Sequence, residues 1–437
     1  MKRVFSCIIR YSGAFMITFF ILALSLVGAS KLPQEPIQIH MQESADIYQG
    51  TPELYNALDF AKGSRIDHYS DSLWMMIGYY WNGENVWEKV ALSSYYDDPG
   101  EKTFHDFQEA VTSSPEPNHE YIRYWHGPAA AMRLLHLFWN IKSIYVFHYV
   151  MMAVLFAILL LQLITRRYYG EAVGLTVSLV AVSVWFVPVC LEYSYMFLCM
   201  LVASNIAVGL ADHKHYSRIG IFFLVVGMVA AFFDFLTTET LTLLVPLLLI
   251  LRIWQRQGKP SARSEWLLTL KSCVVWLIGF VGMWMMKWVL ASVVLQQNVM
   301  PFVVGHIEER IGHNVTGLEI SGNMYIDTLL LNFKKLFPLE YGYSGAVLVL
   351  GAALVFIVVP TISGKVSMRN EIRWYQIGLY LLLGLVPYVR YLVLHNHSYI
   401  HSFFTYRAQA ATVLAICFII LELVEPTKRK QVINHGT

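Results

Sequence analysis

The apolar residues of this chain neither alternate nor keep to one helical stripe. They come in long runs divided by short polar connections. About 20 apolar residues, rising 1.5 Å each, cross the hydrocarbon core of a bilayer. Runs of that kind predict about ten membrane-spanning helices, near 12–30, 143–165, 171–190, 194–211, 218–233, 240–254, 272–295, 344–361, 375–394 and 407–424. The expected fold is all-α, a polytopic transmembrane helix bundle with a large first outer loop. Its parts are a first span (1–30), an acidic loop with interfacial helices (31–142), a central bundle (143–295), an outer cap (296–343), and C-terminal spans with a tail (344–437). No internal repeat is visible. Pro188, Pro246, Pro360 and Pro387 interrupt spans, but not at matching positions in two halves, as an inverted-repeat transporter requires.

Composition supports the membrane reading: 14% of residues are charged, against about 25% in ordinary soluble domains. Charge distribution then sets the orientation. Lys2, Arg3 and Arg10 precede the first run. The connections at Arg166-Arg167, at His213-Lys214 with Arg218, at 252–271, at 365–373 and at Lys428-Arg429-Lys430 are basic as well. By the positive-inside rule these are cytoplasmic, which gives a multi-pass cell-membrane protein with both termini cytoplasmic. Small residues at 27–30 resemble a signal-peptide cleavage site, yet the run before them is expected to stay as an uncleaved span. The basic residues are scattered, which argues against nucleic-acid partners. Cys7, Cys190, Cys199, Cys273 and Cys417 all lie in or beside apolar runs at no ligand spacing, so neither a disulfide framework nor a thiolate metal site is expected.

The polar stretch 31–125 is the exception to this pattern. Its sixteen acids face six basic residues, a net charge of −10. Arg65-Ile-Asp67-His-Tyr-Ser-Asp71 places two carboxylates four apart, on one face if helical. They suit a general base with a supporting acid, and the alternative is capping of a helix from Ser72 by Asp71 or Ser70. Asp46 is a rival acid nearer the first span. Tyr121-Ile-Arg123-Tyr-Trp-His126-Gly-Pro sets a cation and an imidazole among aromatics, a pattern that fits membrane anchoring or a sugar or phosphate platform. The stretch beyond it, with Arg133, His136 and Lys142, reads as an amphipathic helix at the outer interface. Asp234-Phe-Leu-Thr-Thr-Glu239 is a polar turn between two spans. His395-Asn-His397-Ser-Tyr-Ile-His401 leads to Arg407 at the mouth of the last span. With no local acid or cysteine, anion binding is favoured there over a metal site. Lys287 and Arg390 read as snorkelling cations. The Asn314-Val-Thr316 sequon has meaning only where such sites are glycosylated.

With these motifs in view, the chain resembles the GT-C superfamily of membrane glycosyltransferases. Asp67–Asp71, Arg123-Tyr-Trp-His126-Gly, Asp234-Phe-Leu-Thr-Thr and His397…His401…Tyr406-Arg407 are also similar to stretches in a group of bacterial membrane proteins of this length. The resemblance implies sugar transfer from a polyprenyl-phosphate donor to a cell-envelope glycan or lipid acceptor, among membrane lipids, without metal or other cofactor. It also implies an essential acid in the first outer loop. Asp71 is the first choice as base, with Asp67 supporting and Asp46 as the alternative. Arg123, His126, Asp234, His397, His401 and Arg407 are the expected substrate-binding residues. Superfamily acids often lie soon after the first span, whereas Asp71 lies about forty residues beyond it, so the choice among the three acids stays open. Transport of a polar lipid or envelope polymer, or a non-catalytic assembly role, are the rival readings.

Overall fold

A computed structural model describes residues 2–59, 61–212, 216–258, 261–311, 323–355, 359–364 and 366–426. The sequon, His213-Lys214, Lys365 and Lys428-Arg429-Lys430 lie outside the described residues. The chain is mostly helical. The apolar α1 (Lys2–Ser30) comes first, and the polar layer follows as α2 (Gln34–Tyr48), β1 (Leu54–Asn56), β2 (Arg65–Asp67), α3 (His68–Tyr80), α4 (Val86–Leu92), α5 (Thr103–Ser113) and α6 (Gly127–Leu135). The bundle continues with α7 (Ile141–Thr165), α8 (Tyr169–Ala181), α9 (Leu191–Asp212), α10 (Tyr216–Phe233), α11 (Leu241–Arg256) and α12 (Ala262–Val294). Next come α13 (Met300–Ile311), α14 (Met324–Phe333), α15 (Tyr343–Ala353), α16 (Val359–Ile362) and β3 (Val366–Met368). The last elements are α17 (Trp374–Val393), α18 (His395–Ile400), α19 (Ser402–Thr405), α20 (Ala410–Leu423) and β4 (Val424–Pro426). The strands form two small antiparallel pairs, β1 with β2 and β3 with β4.

Among the described residues, six helices are long and apolar enough to cross a bilayer: Phe5–Ser30, Ile141–Thr165, Leu191–Ala211, Ala262–Val294, Trp374–Val393 and Ser402–Leu423. Their outward faces are apolar. Ile17 is 63% exposed, Leu161 60% and Val293 70%. A water-soluble surface does not carry apolar area on that scale, and lipid is the solvent it fits. The chain is a helical membrane protein. Tyr169–Ala181, Arg218–Phe233 and Tyr343–Ala352 are apolar but shorter. The run expected as one span over 171–190 is broken: Ser183 takes a left-handed backbone (φ 52°), and a 3₁₀ segment, Val184–Val189, follows it.

Close helix approach uses glycine where backbone meets backbone. α10 crosses α12 at Gly227 and Gly279, and a Cβ on either would sit 2.2 Å from the facing carbonyl oxygen of Trp276 or Leu224. The polar layer is fastened to the bundle by buried donors. Trp125 Nε1 donates to Met283 O (2.7 Å). Arg133 has no exposed surface and donates to Ala29 O (2.9 Å), Gly78 O (2.8 Å) and Gln34 Oε1 (3.1 Å). It thereby adds a charged donor to carbonyls at the ends of α1 and α3 that also accept from Leu32 N and Trp81 N (both 3.2 Å).

The segment 126–142 is thus amphipathic with its polar side inward: Arg133 and His136 are buried while Leu134 and Phe138 are exposed. Lys287 and Arg390 do not snorkel. Lys287 donates to Val90 O (2.7 Å) and Ala91 O (3.0 Å) at the end of α4, and Arg390 pairs with Glu239 (2.6 Å). Both cations point into the protein, where carbonyls or a carboxylate replace the water they would otherwise seek.

Candidate functional site

The four polar motifs converge. A hollow of about 420 Å³ opens at the loop face of the bundle, and each motif contributes to its wall. Tyr69, Ser70 and Trp74 come from the first turns of α3, and Arg123 with Tyr121 and Tyr124 from the segment before α6. Phe235 comes from the turn between α10 and α11, and His397 and His401 from α18 and its C-cap. Glu192, in the first turn of α9, adds an acid to the wall, and Glu120 another.

The start of α3 is built by capping. Asp67 is its N-cap and accepts from Ser70 N (2.8 Å), which leaves the Ser70 hydroxyl between two carboxylates: Asp67 Oδ2 at 3.1 Å and Glu192 Oε2 at 3.4 Å. Burial raises the Asp67 carboxyl above its usual range, with the Ser70 hydrogen bonds pulling the other way. Carboxyls this close do not both ionise readily, so the pair is suited to hold one proton and take another. Burial likewise drives the neighbouring His68 down to about 4 and Tyr69 up to about 12. Both are therefore neutral at physiological pH.

Aromatic rings form the opposite wall. Arg123 lies over Tyr121 (4.7 Å) and Tyr124 (5.3 Å) and donates to the Tyr121 hydroxyl (3.1 Å). Tyr124 and Trp74 each pack on Phe235, with centroids 4.4 Å apart. His397 and His401 pack together at 4.7 Å. His395 is turned elsewhere, against Tyr325 (4.6 Å), so the three histidines do not gather. Among the described residues no group of three metal-ligating side chains comes together.

Of the residues singled out from the sequence, Arg123, His397 and His401 line the hollow, and Asp67 reaches it through Ser70. The others do not line it. Asp71 has no exposed surface. It accepts from Leu191 N (2.8 Å) and from the Tyr145 hydroxyl, and it lies near the Tyr48 hydroxyl (3.5 Å). It thus joins α3 to the start of α9, next to Glu192, and burial raises its carboxyl to about 8. Asp46 is exposed on α2, where Gln108 donates to it (3.2 Å).

His126 is buried behind Tyr121. Its Nε2–H donates to the Tyr121 carbonyl (2.8 Å), and burial holds it neutral. Asp234 organises its own turn by accepting from Leu236 N (2.8 Å), Thr237 N (2.9 Å) and the Thr237 hydroxyl (2.6 Å). Burial and then Glu239 push it up to about 7. Arg407 is fully buried. It lies over Tyr193 (4.3 Å) and donates to Gly63 O and Phe403 O, both at 2.9 Å, which ties the segment before β2 to the last helix.

Glu192, Ser70 and Trp74 are wall residues that the sequence reading passed over. One signal was present: Glu192 is a lone acid opening a long apolar run, and an ionisable residue in that position is a functional candidate by default. Comparison with known proteins adds nothing to this picture: no family model, curated protein or solved structure matches the chain.

Proposed function

We propose that the protein is a membrane glycosyltransferase of the GT-C type, with about ten crossings and the hollow on the outer face. It moves a sugar from a polyprenyl-phosphate donor to a cell-envelope acceptor. The observation that carries this reading is the meeting, at one hollow, of an acid pair joined through Ser70, a cation with two imidazoles, and packed aromatic rings, drawn from separate segments of the chain. A hollow of this size takes a small polar headgroup.

In this mechanism Glu192, with Asp67 behind it across Ser70, is the base. The acceptor hydroxyl oxygen bonds to the anomeric carbon as the bond from that carbon to the phosphate oxygen breaks. The hydroxyl proton passes to the carboxylate. The lipid phosphate leaves with its negative charge held by Arg123, His397 and His401. Tyr69, Trp74, Tyr121 and Tyr124 bracket the sugar. Asp71, Asp234, His126 and Arg407 are positioning residues that hold the wall segments in place.

Transport of a polar lipid is the second reading, and it calls for charged groups along a path through the bundle. The deep cation Lys287 instead has its ammonium taken up by two carbonyls of α4, which favours the enzyme.

The test is transfer of labelled sugar from a polyprenyl-phosphate donor in purified membranes, read with mass spectrometry of envelope polymers. Glu192→Gln is expected to lower the rate by about 10²–10⁴, the range for losing a general base. Full activity in Glu192→Gln and Arg123→Ala, or envelope polymers unchanged on loss of the gene, would remove the proposal.

A further inference from the structure

A second hollow, of about 640 Å³, lies at the far end of the bundle, where α11 and α20 end and α8 and α17 begin. Four arginines line it: Arg252, Arg256, Arg369 and Arg373. Arg252 is 4% exposed and is consumed by the fold. Its Nε meets Glu171 Oε1 (2.9 Å), and its Nη1 meets Glu422 Oε2 (2.8 Å). The same two acids reach outward to the next guanidiniums, Glu171 to Arg256 (3.3 Å) and Glu422 to Arg369 (3.3 Å).

Arg256 and Arg369 are 41% and 33% exposed, and Arg373 stands exposed beside them. A guanidinium carries five N–H donors. That is more than these acids and the carbonyls of Arg167 and Leu421 take up from Arg256 and Arg369. Glu425, 3.9 Å from Arg369, is the acid at the rim. Gln376 lies beneath them. It has no exposed surface and donates Nε2–H to Glu265 (3.1 Å).

The wall therefore offers a fan of guanidinium donors. Bidentate N–H pairs suit phosphate oxygens. We propose that this hollow binds an anionic phosphate ester, as a phospholipid headgroup or as the free ester. Basic hollows between membrane helices are suited to anionic headgroups. The inference is independent of the sugar-transfer reading, since the two hollows share no residue.

The test uses the full-length protein in phosphatidylcholine nanodiscs, with phosphatidylglycerol and sn-glycerol 3-phosphate as separate probes. Retained lipid is read by native mass spectrometry and binding of the free ester by thermal shift. Wild type is expected to retain phosphatidylglycerol over phosphatidylcholine, with that preference falling about tenfold in Arg373→Glu, the loss of roughly one charge-assisted contact. A shift with sn-glycerol 3-phosphate that Arg373→Glu abolishes supports the soluble ester as the source. Arg373 is exposed, so its variant leaves the buried Arg252 pairs intact, and Arg369→Gln provides a second reading. An unchanged lipid ratio in both variants, with no thermal shift in wild type, overturns the proposal.

Discussion

Arg133 is buried with no carboxylate partner among the described residues, and its replacement is the most demanding test of how the polar layer is held. Three of its contacts are 3.1 Å or shorter, to the ends of α1 and α3 and to Gln34. Hydrogen bonds from a charged donor contribute about 1.5–3 kcal/mol each. Contacts sharing one side chain are not additive. Desolvating the guanidinium also offsets part of the gain, and burial pulls it down to about 10, which still leaves it charged at neutral pH.

A net loss of about 4 kcal/mol is expected for Arg133→Met, which keeps the apolar stem and removes every donor. At roughly 2 °C per kcal/mol for a large chain, the melting temperature should fall by about 8 °C. With the exposed Cys7 replaced by serine, a thiol-reactive dye reads this, because Cys190 is buried and becomes reactive on unfolding. Arg133→Lys should recover only part of the loss, since one ammonium cannot reach all three acceptors. Melting of Arg133→Met within about 2 °C of wild type would refute the claim that this side chain staples the layer to the bundle.

Three further outcomes follow from the packing and the buried acids. Gly279→Leu should prevent close approach of α10 and α12, because its Cβ would lie 2.2 Å from Leu224 O. Loss of the monodisperse peak in detergent checks this, and a wild-type elution profile would contradict it. Asp71 has its carboxyl raised to about 8, so the folded chain holds a proton that the unfolded chain releases above about 4. Its contribution therefore favours folding least at high pH, and stability falls as pH rises from about 4 to 8. Asp71→Asn should flatten that slope in melting curves between about pH 5 and 8, and an unaltered slope would count against it. Asp234→Ala removes the acceptor for two backbone N–H groups of its turn and should cost about 2 kcal/mol. Asp234→Asn, measured in the same assay, should cost less.

The helical membrane class was legible in the sequence because long apolar runs leave the backbone no way to satisfy its polar groups in lipid except by closing them within helices. The four polar motifs were legible for the related reason that charge is costly there and stands out when it occurs. Their grouping in one hollow was not legible, since it depends on α3, α9, α18 and the segment before α6 ending at the same place. Tertiary packing also decided which members of each motif face the hollow. Asp67 and Asp71 lie one helical turn apart, yet Asp67 reaches the hollow through Ser70 while Asp71 accepts the first N–H of α9. Arg123 lines the hollow, whereas Arg407 is spent on Gly63 and Phe403. Sequence spacing specifies which face of its own element a residue occupies. What that face meets is set by elements up to hundreds of residues away, through contacts that local composition does not encode.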